Sequence, residues 1–185
     1  TDPIIERRDL IVPQDIRERK GAFFTPRQWV ELSQKYLTDY LGENWQDDYY
    51  IWDCAAGTGN LLAGLTNKYN IYASTLDQAD VNVMHERIDK GANLLKNHVF
   101  QFDFLNDDFS KLPQSLQDII NDEEKRKKLV IYINPPYAEV SSVGEKGKSG
   151  VNVSKIHSKF NNILGTAGRE IYAQFLVRIY SEIPD

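Results

Sequence analysis

The 185 residues hold one cysteine and three histidines. A lone Cys54 excludes a disulfide framework and a multi-cysteine zinc site. His85, His98 and His157 are scattered without metal-ligand spacing, so no metal is expected. No apolar run approaches the ~20 residues of a membrane span, and no leader peptide opens the chain. The expectation is a soluble protein of a reducing, cytoplasmic compartment, with no membrane partner. Positive charge is short as well. The formal net charge of −5 argues against this chain alone gripping a long duplex by its phosphates.

Hydrophobic residues make up 41% of the sequence, enough for the core of one domain with at most a small appendage. Residues 1–24 carry mixed charges and predict a loosely packed or short helical lead-in. Thr25 suits a helix N-cap and Pro26 a first helical position. Trp29, Ser33, Tyr36, Leu37 and Tyr40 then fall at helical spacing, and Gly42 ends the run. From residue 49 onward, strand-like and helix-like stretches alternate. Strands are predicted over residues 49–53, 71–77 and 98–102, and again from Leu129 to the Asn134-Pro135-Pro136 stop. That alternation predicts an α/β fold with a parallel sheet. The last strand, rich in aliphatic residues, is expected to be buried. Glu123 and Glu124 stand four residues before Lys127 and Lys128, which predicts an exposed helix with a solvated basic run. Residues 141–168 are rich in glycine and lysine with little periodicity, and read as a mobile loop facing nucleic acid. Ile171, Phe175, Leu176 and Ile179 mark a closing helix.

Four strand ends carry the chemistry. Asn134-Pro135-Pro136-Tyr137 closes the last strand, and the prolines cannot continue a ladder. An amide oxygen and a fixed carbonyl there can both accept from one exocyclic NH2 group, while Tyr137 offers a flat face to a planar base. The plain alternative is a proline-terminated strand followed by a buried tyrosine. Asp53 to Gly59, with Ala55, Gly57 and Gly59, joins the first strand to an expected helix at Leu61-Leu62. Glycines there let a ligand approach the backbone, and the acid suits an ammonium group better than a pyrophosphate. Asp77 lies about twenty residues on, where a ribose-binding acid stands, and equally suits a helix N-cap. Asp103 can accept from an adenine amine and Phe104 can stack on its ring; the alternative is a turn aspartate and a core phenylalanine.

Taken together, Lys20-Gly-Ala-Phe-Phe-Thr-Pro26, Asp53-Cys-Ala-Ala-Gly-Thr-Gly59 and Asn134-Pro-Pro-Tyr137 resemble, in this order, motifs of the gamma-class N6-adenine DNA methyltransferases of bacterial restriction–modification systems. Asn-Pro-Pro-Tyr alone is shared with enzymes that methylate glutamine or guanine amines, and the Lys20–Pro26 block tips the resemblance to adenine in DNA. The resemblance implies a Rossmann-like S-adenosylmethionine-dependent methyltransferase fold, with residues 1–48 as an amino-terminal segment and 49–185 as a cofactor-binding catalytic core. Phe24, Thr25 and Pro26 would bind the cofactor, the last two at its methionine end. Asp53 would bind its ammonium, Ala55, Gly57 and Gly59 would give it room, Asp77 would reach its ribose, and Asp103 and Phe104 would hold its adenine. Asn134, Pro135, Pro136 and Tyr137 would receive a flipped adenine of double-stranded DNA. Thr75 stands where the family usually has its ribose-binding acid. The family's sheet continues beyond a fourth strand, and a target-recognition domain follows. The chain therefore reads as the front part of a longer enzyme, its sheet incomplete and its recognition domain elsewhere in that chain or in a separate subunit. The alternatives are a methyltransferase of protein glutamine or RNA guanine, and a cofactor-binding fragment inactive alone.

Overall fold

The computed structural model describes residues 25–136 and 171–184. Phe24, Tyr137, the charged lead-in and the glycine- and lysine-rich stretch 141–168 lie outside them. The chain divides into two compact units. One comprises Phe24–Phe104 and Asp108–Asn134 with Asp185; the other takes Thr1–Phe23, Leu105–Asp107 and Pro135–Pro184.

The larger unit is built on four parallel strands, β1 (Tyr50–Asp53), β2 (Ile71–Thr75), β3 (Val99–Gln101) and β4 (Leu129–Ile131), in the order β3-β2-β1-β4. Its helices are α1 (Arg27–Leu41), α2 (Trp45–Asp48), α3 (Gln78–Asp89), α4 (Gln114–Asn121) and α5 (Glu123–Arg126). The chain runs outward from β1 to β3 and then returns to lay β4 on the other side of β1. The direction of winding therefore reverses between β1 and β4, where open α/β sheets open a crevice at their carboxyl ends.

Alternation along the strands gives each sheet face its own core. Ile51, Ile71, Ala73 and Val99 join one cluster with Val30 of α1 and Met84 of α3. Trp52, fully buried, points the other way into a ring cluster with Phe102, Phe104 and Phe109, at centroid distances of 6.3, 5.5 and 5.8 Å. Its indole N–H donates to Ser74 Oγ at 3.0 Å, also fully buried. Tyr72 stacks on His98 at 4.1 Å and donates from its hydroxyl to Ser115 Oγ of α4.

The predicted strands are present, with ends shifted by a residue or two. Four expectations change. β4 is half-buried rather than fully buried, because it stands at the edge of the described sheet. The stretch after Gly59 forms only a 3-10 turn, Asn60–Leu62, since Gly64 (φ +85°) turns the chain out of helical geometry. Helix α1 starts one residue late: Pro26 (ψ 147°) is the cap, and Thr25 does not cap the helix. Its inward face is also rotated from the expected one. Trp29, Tyr36 and Tyr40 are exposed, while Val30 is buried and Leu37 and Leu41 pack on the core. The Glu123–Lys127 pair forms on the surface at 3.0 Å. Helix α4, hidden in a polar stretch, buries Leu116, Ile119 and Ile120.

In the smaller unit, α6 (Ile171–Glu182) is the closing helix, with Gln174, Phe175 and Arg178 buried. Arg178 donates to the Asp107 carbonyl.

Ser74→Ala tests the sheet's aromatic face. It strands a buried indole N–H, and a cost of about 1–3 kcal/mol is expected. Urea titrations should show a correspondingly lower midpoint, whereas an unshifted midpoint would mean that the Trp52–Ser74 bond contributes nothing net.

Candidate functional site

Register places the candidate residues side by side. β1 and β4 pair Ile51 with Val130 and Trp52 with Ile131, and the Tyr132 N–H donates to the Trp52 carbonyl at 3.1 Å. Asp53 thus ends β1 next to Tyr132, and Asn134 follows two residues on, both at the winding reversal.

Asp53 is 1% exposed. Its Oδ1 accepts from the Ala55 N–H at 3.1 Å. Burial outweighs that bond and pushes the carboxyl from 3.8 up to about 7. Nearby, burial also raises the Tyr132 phenol, helped by the negative charge of Asp53, and the phenol shares a 2.5 Å hydrogen bond with Ser33 Oγ of α1. A carboxyl forced toward its neutral form at a strand end suits a site that awaits a cation.

The loop after Asp53 is shaped by two glycines. Gly57 (φ +55°) and Gly59 (φ +86°) take backbone conformations that disfavour side chains, and a Cβ at Gly57 would meet nothing within 4 Å. The Ala56 N–H donates to the Ser74 carbonyl at 3.0 Å, and the Gly59 N–H to the Ala56 carbonyl at 2.8 Å. Thr58 Oγ1 is buried with no hydrogen-bond partner among the described residues. Arg87 of α3 reaches across to donate to the Thr58 carbonyl at 2.6 Å. Neither Arg87 nor the Ser33–Tyr132 pair was legible as site structure, because no local motif marks partners so far apart in sequence.

Asn134 is half-buried, and its Nδ2 donates to Thr25 Oγ1 at 3.0 Å. This bond spans 109 positions and joins the Thr25-Pro26 block to the Asn134-Pro135 block. Pro135 and Pro136 are half-buried and belong to the smaller unit.

Asp77 caps α3, its Oδ1 accepting from the Ala79 N–H at 2.9 Å, and is exposed. Thr75 is buried at the end of β2. Asp103 is half-buried, while Phe104, 2% exposed, lies within the Trp52 ring cluster. Its surroundings match the core alternative rather than an exposed stacking face. Among the described residues no cluster of His, Cys, Asp and Glu could hold a metal, and no helix is long and apolar enough to cross a membrane.

A family model described as N-6 DNA Methylase matches residues 13–162. No curated protein matches. Among solved structures, a chain of the cryoEM structure of a DrdV–DNA complex superposes with a TM-score of 0.64 at 18% identity. The match covers 97% of this chain and 21% of that one, so the present chain spans about a fifth of that protein's length. At this identity the likeness establishes the shared fold.

Asp53 sets a pH dependence of stability. The folded chain holds this proton more tightly than the unfolded one, so its stabilising contribution is full below 3.8 and lost as pH rises through about 7. Asp53→Asn removes the titration and keeps an oxygen for the Ala55 N–H. Its melting temperature relative to the parent chain should climb between pH 5 and pH 8; parallel pH profiles would show that Asp53 ionises normally.

Proposed function

Because the chain belongs to the N-6 DNA methylase family, we propose that it is the cofactor-binding and catalytic part of a longer, gamma-class enzyme of a restriction–modification system. That enzyme transfers a methyl group from S-adenosylmethionine to N6 of adenine in DNA. The observation that carries the proposal is the adjacency of Asp53 and Asn134 on neighbouring strand ends at the winding reversal.

The residues fit the cofactor. Asp53, costly to ionise where it lies, gains a partner in the ligand's ammonium, and the open space at Gly57 admits the ligand beside the backbone. Thr25 and Pro26 would hold the methionine end, and Phe24, outside the described residues, is assigned to the cofactor by its place in the same motif. Ala55 would line the same turn and Asp103 would accept from the adenine amine, while Phe104, buried in the ring cluster, would not stack on it. Asp77, already engaged with Ala79, offers its second oxygen to the ribose. When bound, the cofactor supplies an electrophilic methyl group.

Adenine's amino lone pair is delocalised into its ring and is a poor nucleophile. The Asn134 amide oxygen and the carbonyl of Pro135, the next residue, accept the two amine hydrogens. Two acceptors so placed favour a more tetrahedral nitrogen with its lone pair available. Pro136 stiffens the turn, and Tyr137 stacks on the extruded base. The chain's residues bind, orient and polarise, and none of them forms a covalent bond to the base. Sequence recognition of the duplex belongs to another part of the enzyme, which agrees with the acidic charge of this one.

Two measurements test the proposal. In the longer enzyme, Asn134→Ala should lower transfer of labelled methyl groups into adenine on the order of a hundredfold or more, with cofactor titrations near normal. Retained turnover, or label entering protein or RNA instead of DNA, would overturn it. In the present chain, cofactor affinity should rise about tenfold from pH 6 to pH 8 as Asp53 ionises. Asp53→Asn should bind weakly at both; a pH-independent affinity in the parent chain would remove Asp53 from the site.

A further inference from the structure

Thr25 looks, from its place before Pro26, like a helix cap, yet its hydroxyl does not cap α1. It accepts instead from Asn134 Nδ2 at 3.0 Å. We propose that Thr25 is a positioning residue for the Asn134 amide, holding its nitrogen so that its oxygen is presented to the target amine. The inference rests on the proposed role of Asn134 and goes beyond it by naming what orients the group.

The need for such a residue follows from the amide itself. Asparagine carries an acceptor and a donor of nearly equal size on one freely turning bond. In the reversed rotamer its NH2 would face the NH2 of adenine, donor against donor, and the acceptor would be lost. A partner that takes the amide nitrogen therefore decides whether the group works. A threonine hydroxyl can fill either role, so the choice depends on where its own proton goes. A ligand group that only accepts, such as the carboxylate at a methionine end, commits that proton and leaves Thr25 as an acceptor toward Asn134. The amide's orientation then becomes linked to occupancy of the cofactor site.

The surroundings make Thr25 a firm anchor. It immediately precedes Pro26, the cap of α1, and α1 is tied to the same segment through Ser33 and Tyr132, two residues before Asn134. Val30 of α1 is buried in the sheet's core. Helix and strand end are thus pinned at two points, and the Thr25 hydroxyl has a fixed place relative to the amide.

Nitrogen-resolved NMR of the 185-residue chain reads this bond directly, with Asn134→Asp identifying the side-chain NH2 pair by its loss. One proton of the pair should lie downfield and exchange slowly, more so with S-adenosylhomocysteine added. Thr25→Ser should keep that signature. Thr25→Val, equal in shape but without the acceptor, should move that proton upfield and speed its exchange; an unchanged pair in Thr25→Val overturns the inference. In the longer enzyme, Thr25→Val should lower kcat about tenfold with little change in KM for DNA, and Thr25→Ser should restore it. If Asn134→Ala is inactive while Thr25→Val turns over normally, positioning by Thr25 is wrong and the methylase reading stands. If Asn134→Ala retains turnover, the methylase reading falls, and the NMR pair still decides whether Thr25 holds the amide.

Discussion

Burying one carboxyl at the end of a parallel strand is the constraint to which the rest of the site answers. Asp53 sits where water is excluded, with the Ala55 amide as a hydrogen-bond donor. Desolvation of a charge costs more than one amide returns, so the group tends to stay neutral. Such a position is stable in a fold only if the charge is absent or is matched by something that arrives. The strand order supplies the opening, because the chain leaves β1 for β2 on one side and β4 closes on the other. The glycine turn keeps side chains out of the space in front.

Helix α1 packs on the same sheet in a way its composition conceals. Its inner face is as polar as it is apolar. Gln34 Nε2 donates to the Leu61 and Ala63 carbonyls at 3.1 and 2.9 Å, and Thr38 Oγ1 accepts from the Trp45 indole at 3.0 Å. Ser33 joins the Tyr132 phenol. The segment after Gly59 is too short and too broken to satisfy its own carbonyls as a helix does, so α1 satisfies them with side chains. A helix selected for that task turns polar residues inward and leaves Trp29, Tyr36 and Tyr40 outside.

This explains which parts of the molecule the sequence made legible. Strands were readable because branched and aromatic residues cluster in short runs, and their pairing follows from right-handed parallel winding. The Asp53-Gly57-Gly59 turn was readable because positive φ values restrict residue choice. Periodicity failed for α1, since hydrophobic spacing cannot register an inward face that works through hydrogen bonds. It also could not separate the two roles open to Thr25 or to Phe104. Capping and stacking are local propensities, whereas a bond spanning 109 residues and a four-ring cluster are tertiary facts. Asp77 went the other way: its local role as an N-cap is realised.

Charge gives the last step. A chain of net charge −5 repels a phosphate backbone at long range. On the proposed reading, the groups offered to the base are an amide, a backbone carbonyl and a ring, all neutral. Asp53, the acid buried at the site, is about half-protonated near neutrality, and the ligand's cation would favour its ionised form. Asp53 therefore adds less to the repulsion that the surface already carries, and its ionisation on cofactor binding would be matched by the ligand's charge. An exposed, ordinarily ionised aspartate in the same place would bind an ammonium group too, but it would present a standing negative charge to the nucleic acid. On that reading, burial of Asp53 reconciles recognition of a cationic cofactor with approach of a polyanionic substrate.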